Sequence, residues 1–162
     1  MSSYLSFFIR NKNDFLPIGT FCRSSEIYQM TEKKISPPYG KVISITKVDI
    51  DIILCACEEV IKNYNEAITS FKERIDFIKN CNNSLEEKLE EYNDYDETIQ
   101  GYKEGIEEIN DVKSYFTTLK DILEDISYTD MFDQSKYIYC GIEVGYTIEL
   151  SDIVGEITEV QD

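Results

Sequence analysis

Carboxylates and thiols are the side chains of this chain that could do chemistry, because it contains no histidine. Of its 162 residues, 32 are Asp or Glu and five are Cys. Paired carboxylates can act as general acid and base or hold Mg²⁺, whereas thiolates can act as nucleophiles or bind zinc. A Ser-His-Asp or Cys-His system cannot be built here. With so many acidic residues, adjacent carboxylates arise by chance, so we assign no catalytic residue and expect no enzyme.

The cysteine and glycine patterns also lack the spacing of known metal and cofactor sites. The five cysteines contain no C-x-x-C pair: they are Cys22, Cys55, Cys57, Cys81 and Cys140. The segment Gly101-x-x-x-Gly105 lies in a charged helical pattern and lacks the lysine of a phosphate loop. We therefore expect no cofactor and no metal. The odd number of cysteines and the lack of a signal-peptide pattern predict free thiols and a cytoplasmic, reducing location.

A row of acidic residues is the strongest candidate for a binding surface. Residues 85–127 carry fourteen acidic and four basic side chains, and four of the carboxylates recur every seven residues. On a helix this spacing places them on one face, roughly 10 Å apart. Such a face can dock a basic partner or imitate a nucleic-acid backbone, or it can simply be a solvated outer face. The acidic residues that we assign to partner binding are Glu90, Asp94, Glu97, Glu104, Glu108 and Asp111.

Two tyrosines and a basic segment complete the candidate surfaces. Tyr95 and Tyr102 are assigned to partner binding because tyrosine is favoured in interfaces, although they could instead line a stripe covered by a neighbouring helix. Residues 1–47 have a net charge of +4, which could meet a partner or the acidic remainder of the chain. The basic residues are Arg10, Lys12, Arg23, Lys33, Lys34, Lys41 and Lys47.

The overall charge and hydropathy exclude several partner classes. The net charge is −16, so direct binding to nucleic acid or to an anionic membrane is disfavoured. No apolar run approaches the ~20 residues that a membrane span requires. The remaining expectation is a protein partner, either a basic or nucleic-acid-binding protein, or a second copy of the chain.

Two helices must position the acidic row. Nine apolar residues recur at intervals of four and three from Ile50 to Ile78, which is the seam pattern of a coiled coil. Thr46 and Ser84 stand at capping positions, so we predict helices over about 47–80 and 85–127. In the second helix, Asp96 and Lys103 fall at positions where a strict heptad requires apolar residues. Tyr95 and Tyr102, one residue earlier in each case, take their place. The second helix is either continuous or broken near residues 93–105, which include two glycines.

The flanking segments predict β-structure. Residues 1–45 read as a β-hairpin, a short helix near 26–33 and a strand, with Pro17 on an edge or bulged strand. Residues 128–162 contain alternating apolar residues from Tyr137 to Leu150, and a further strand is predicted over 153–160. The predicted fold is α+β: a long antiparallel coiled-coil-like helical hairpin, residues 46–127, projecting from a small β-domain formed by the N- and C-terminal strands. We expect one folding unit overall.

Interaction without catalysis is the function that these patterns favour. The first hypothesis is a non-enzymatic protein-binding module that docks a macromolecular partner through the acidic hairpin. One specific form is a phage-encoded inhibitor or anti-defence protein, since the abundance of Ile, Lys, Tyr and Asn is typical of AT-rich genomes. The alternative is a structural subunit, such as a virion component or a homo-oligomer joined through the helices.

Overall fold

The protein has an α+β fold. The computed structural model describes residues 3–11, 14–37, 39–124 and 138–144. Within these ranges the elements are, in chain order, β1 (Ser3–Asn11), β2 (Asp14–Cys22), α1 (Glu26–Lys34), β3 (Val42–Ile45), α2 (Lys47–Asn80), α3 (Leu85–Glu124) and β4 (Ile138–Val144). None of the described helices carries the long apolar stretch that a membrane crossing requires.

The four strands form one antiparallel sheet in the order β2-β1-β4-β3. Strand β1 lies beside β4, with Leu5 opposite Ile142 and Phe7 opposite Cys140. The sheet therefore joins the N-terminal hairpin to a strand from the other end of the chain. Lys12 and Asn13, which separate β1 from β2 in the chain, lie outside the described residues, as do Tyr137 and the predicted strand residues 145–150 and 153–160.

Pro17, which has no backbone N–H to donate, lies on an edge strand of the sheet. Strand β2 forms one edge of the sheet. Its pairing with β1 shifts register between Phe7 and Phe8, and Phe8 lies opposite Pro17. An edge strand with a register shift needs fewer backbone donors, so proline does not interrupt the sheet.

Each helix begins at a residue whose side chain accepts a hydrogen bond from a backbone N–H of the first turn. Ser25 accepts from Tyr28, Thr46 from Asp49 and Ser84 from Glu87, at 3.3 Å in each case. The Asp49 carboxylate in turn accepts the Thr46 backbone N–H at 3.0 Å, which completes a reciprocal capping arrangement. These local bonds fix where the helices start.

The chain divides into two compact units. The first, here called the sheet unit, comprises Met1–Leu54 and Lys113–Asp162. The second, here called the helical unit, comprises Cys55–Val112. Helices α2 and α3 each contribute residues to both units.

The core of the sheet unit lies between one face of the sheet and parts of α2 and α3. Leu5, Phe7 and Ile9 alternate along β1 and are almost completely buried. The Phe7 ring contacts Phe116 of α3 edge-on, with ring centroids 5.7 Å apart. The apolar residues that alternate along β1 and the apolar residues at helical spacing on α3 thus pack in one core. The other buried helical side chains of this unit include Ile50, Ile53 and Leu119.

In the helical unit, α2 and α3 contact each other in reverse chain order. The Tyr64 ring of α2 contacts the Tyr102 ring in a tilted arrangement with ring centroids 5.3 Å apart, and the Phe71 ring centroid lies 5.5 Å from that of Tyr95. These contacts are compatible with an antiparallel hairpin. A buried cluster of Ile68, Ile75 and Ile99 lies along the same interface.

Helix α3 is continuous from Leu85 to Glu124, so the break considered near residues 93–105 is absent. The neighbouring helix supplies the reason: the tyrosines of this segment pack on α2, and Gly105 faces the Tyr64 ring. Packing of this kind outweighs a glycine cost of about 1 kcal/mol. Residues 125–127, where the helix was expected to end, lie outside the described residues.

Candidate partner-binding surface

The acidic residues assigned to partner binding are all exposed on α3. Glu90, Asp94, Glu97, Glu104, Glu108 and Asp111 each present their side chains to solvent. Among the described ranges of the chain, none of these six carboxylates takes part in an ion pair. An unpaired row of like charges on one helix attracts cations over several ångströms in water. The structure therefore leaves this acidic face open.

Tyr95 and Tyr102 lie in a different environment from the six carboxylates. Both rings are half-buried and pack against the Ile68, Ile75 and Ile99 cluster. The Tyr102 ring contacts both Tyr64 and Phe71 of α2. The two tyrosines thus help to hold α3 against α2, and a contact between their exposed edges and a partner stays a prediction.

The glycines of α3 have different surroundings. A Cβ atom at Gly105 would lie 2.9 Å from the Tyr64 ring, whereas a Cβ at Gly101 would meet nothing within 4 Å. Gly105 therefore allows close approach of the Tyr64 ring to the α3 backbone. At Gly101 the described residues supply no packing reason for a glycine.

The basic residues of the N-terminal segment are spread over several elements. Arg23, Lys33, Lys34, Lys41 and Lys47 are exposed. Lys47 forms an ion pair with Glu124 of α3 at 3.8 Å, so part of this charge meets the acidic part of the same chain. A second pair inside the sheet unit joins Lys120 to Asp51 at 2.8 Å, and it raises the pKa of Lys120. The side chains of Arg10 and Lys12 lie outside the described residues.

None of the five cysteines, all of which lie within the described residues, forms a disulfide bond. Cys57 and Cys140 are buried, and burial raises the pKa of the Cys140 thiol. Cys22 is exposed at the end of β2, where a hydrogen bond with the Ser24 hydroxyl lowers its pKa. No three His, Cys, Asp or Glu residues of the described part of the chain converge as metal ligands would.

A shallow cleft lies at the start of α1 in the sheet unit. It has a volume of about 530 Å³ and is lined by Arg23, Ser24, Tyr28, Gln29 and Glu32. Beside it, the Tyr39 hydroxyl donates a hydrogen bond to the Glu32 carboxylate at 3.1 Å. The neighbouring Tyr28 and Glu32 side chains raise the pKa of Tyr39 to about 12. The cleft combines one cation with one carboxylate and presents no nucleophile together with a base.

One surface was missed by the sequence reasoning. Leu85, Leu89 and Tyr92 belong to the apolar pattern that predicts the second helix, yet they are 74%, 53% and 41% exposed. Ile99, which lies seven residues after Tyr92 and therefore on the same side of α3, is buried in the seam. Helical spacing alone therefore does not account for the exposure of the three earlier residues.

No known protein family, curated protein sequence or solved structure matches the chain. The surface chemistry of the described residues therefore carries the functional argument by itself.

Proposed function

We propose that the protein is a non-enzymatic binding module that docks a basic macromolecular partner along the acidic face of α3. The observation that carries this proposal is the row of six exposed carboxylates without ion-pair partners among the described residues. A face of unpaired like charges does not stabilise the fold. It does speed and orient association with a partner of opposite charge.

The helical pair supports the proposal as a rigid platform. In it, α2 and α3 act as an antiparallel, coiled-coil-like hairpin, with α2 as the strut that holds α3. Contacts such as Tyr64 with Tyr102 and Phe71 with Tyr95 fix the rotation of α3 about its axis. A fixed rotation keeps the acidic row pointed in one direction, so less conformational freedom is lost on binding.

The partner class follows from the charge. Carboxylates about 10 Å apart match Lys/Arg side chains on a protein surface, and nucleic-acid-binding proteins carry such basic surfaces. An inhibitor that covers a nucleic-acid-binding surface, including one encoded by a phage, is the specific form that we propose. The alternative function, a structural subunit, predicts self-association through apolar contacts rather than through charge.

A pair of charge-matched variants tests the proposal. Glu97→Gln, Glu104→Gln and Asp111→Asn together remove three charges from α3, and Glu59→Gln, Glu66→Gln and Glu73→Gln remove three exposed charges from α2. Each purified protein is immobilised and challenged with a defined basic nucleic-acid-binding protein, core histone, at several salt concentrations. We expect binding that falls steeply with salt, weakens about tenfold or more in the α3 variant and is nearly unchanged in the α2 variant.

Two results would contradict the proposal. The first is equal weakening by both variants, because any acidic surface would then serve. The second is a protein that self-associates on sizing, at both low and high salt, and binds no basic protein. That result would favour the structural-subunit alternative.

A further inference from the structure

The exposed apolar residues at the beginning of α3 form a continuous row. Leu85, Leu89 and Tyr92 follow one another at intervals of four and three, so they lie on the same side of the helix. Their exposed fractions of 74%, 53% and 41% mean that α2 leaves much of each side chain in water. Scattered exposed apolar residues are ordinary, but three in one row on a helix form a surface suited to contact with another helix.

An acidic row runs directly beside the apolar row. Glu86 and Glu90 each follow a member of the apolar row by one residue, and Glu97 continues at the same helical spacing. All three are exposed. Residues 85–97 contain seven acidic side chains and one basic side chain, a net of −6. An apolar row flanked by carboxylates is complementary to a helix that carries an apolar row flanked by Lys or Arg.

A second copy of the chain is a poor match for this surface. Each copy would bring its own net charge of −6 over the same residues, within a chain whose overall charge is −16. Like charges placed beside each other at an interface oppose association. A basic partner helix has the reverse property, since its cations would meet Glu86, Glu90 and Glu97 while its apolar side chains cover the leucines.

We propose that Leu85, Leu89 and Tyr92 anchor an amphipathic, basic helix of the partner, which lies along the first turns of α3. This inference rests on the proposed function and specifies which part of the surface holds the partner and what kind of segment binds there. The carboxylates steer and orient the helix, and burial of the two leucines and the tyrosine supplies most of the affinity.

A synthetic peptide provides the probe. We would use a labelled helical peptide of about 18 residues with leucines at helical i, i+4, i+7 spacing and lysines on both flanks. A scrambled peptide of identical composition keeps the charge and loses the apolar row. Binding is measured by fluorescence anisotropy at moderate salt, where charge alone is partly screened. We expect the ordered peptide to bind at least about tenfold more tightly than the scrambled one.

The chain offers a matched pair of variants. Leu85→Gln with Leu89→Gln removes two exposed apolar side chains at i, i+4 from α3. Val48→Gln with Ile52→Gln removes two exposed apolar side chains at the same spacing from α2, where they are 67% and 45% exposed. Circular dichroism checks that both variants keep their helix content. We expect the first variant to lose about tenfold or more in peptide affinity and the second to change it by less than about twofold.

The outcomes separate the anchor from the proposed function. If the ordered and scrambled peptides bind equally, or if the two double variants behave alike, the apolar anchor is wrong. If, in addition, neutralising Glu97, Glu104 and Asp111 still abolishes binding to core histone, the proposed function stands without this anchor. If that neutralised variant binds like the unchanged protein, the proposed function falls as well. Dimerisation of the protein alone that Leu85→Gln with Leu89→Gln abolishes would overturn the choice of a basic partner helix.

Discussion

The sheet unit and the middle of the helical unit enclose their apolar side chains to different degrees. In the sheet unit, Leu5, Phe7 and Phe116 are 0% exposed. In the helical unit, Ile68 and Ile75 of the seam remain 7% and 8% exposed. A sheet covered by helices surrounds a side chain on several sides, whereas a seam between two helices covers it from one direction only.

The difference shows which region supplies stability and which supplies surface. A two-helix element has limited area to bury, and Leu85 and Leu89 at the start of α3 remain 74% and 53% exposed. The exposed face of α3 carries the row of carboxylates on which the proposed binding function rests.

The largest expected effect comes from truncating the core of the sheet unit. Phe116→Ala removes a fully buried ring that contacts Phe7, and we expect it to lower the free energy of unfolding by about 3–5 kcal/mol. Urea denaturation followed by circular dichroism measures the change. A loss below about 1 kcal/mol would mean that the ring is not part of a close-packed core.

A smaller effect is expected in the seam of the helical unit. Ile68→Ala removes a side chain that is packed mainly against one neighbouring helix, so we expect a loss of about 2 kcal/mol, at the lower end for buried isoleucine. Hydrogen exchange should show the faster exchange mainly within residues 55–112. Uniformly faster exchange in β1 and β4 would break the distinction between the two units.

The two glycines of α3 sharpen the comparison within one helix. Gly101→Ala adds a methyl group to open space and should raise the free energy of unfolding by up to about 1 kcal/mol, because alanine favours helix. Gly105→Ala gains the same preference but places its Cβ 2.9 Å from the Tyr64 ring, so we expect a net loss. Thermal melts of both variants measure the signs. Equal stabilisation by both would show that the Tyr64 contact is easily displaced.

The smallest effect at neutral pH should come from Tyr115→Phe. The Tyr115 hydroxyl is buried without a hydrogen-bond partner among the described residues, and the ring packs on Phe7 and Phe21. Removing this hydroxyl should therefore leave the stability unchanged within about 1 kcal/mol. A clear loss would indicate that the hydroxyl has a partner after all.

The same variant has a defined pH dependence. Burial raises the pKa of Tyr115 above its ordinary value of 10.0, so the folded protein keeps this phenol protonated where the unfolded chain begins to lose the proton. The contribution of the protonated Tyr115 phenol to the free energy of unfolding is therefore fully present below pH 10 and declines as the pH rises further. We expect the unchanged protein to lose more stability than Tyr115→Phe in melts above pH 10. Cys140 is present in both proteins, so the difference between the two curves isolates Tyr115.

Local sequence signals predicted most of the elements. The caps at Thr46 and Ser84, the β-hairpin at the N-terminus and the edge position of Pro17 all depend on neighbouring residues, and the structure has each of them. The acidic row could also be predicted, because charged residues that recur at helical spacing must lie on one face of the helix. The exposure of Leu85 and Leu89 could not be predicted from the sequence, since an apolar residue on a helix can either pack against a neighbouring helix or remain exposed to solvent.

The α+β composition, the helix starts and the acidic face of α3 could be predicted from the sequence, because they depend on residue types at fixed short spacings. The folded structure was needed to show that Tyr95 and Tyr102 pack on α2 and that α3 continues through both of its glycines. It also decided that Gly19 and Gly105 are the places where Tyr115 and Tyr64 approach the backbone. These are contacts between residues far apart in the chain, and their distances depend on how whole elements pack.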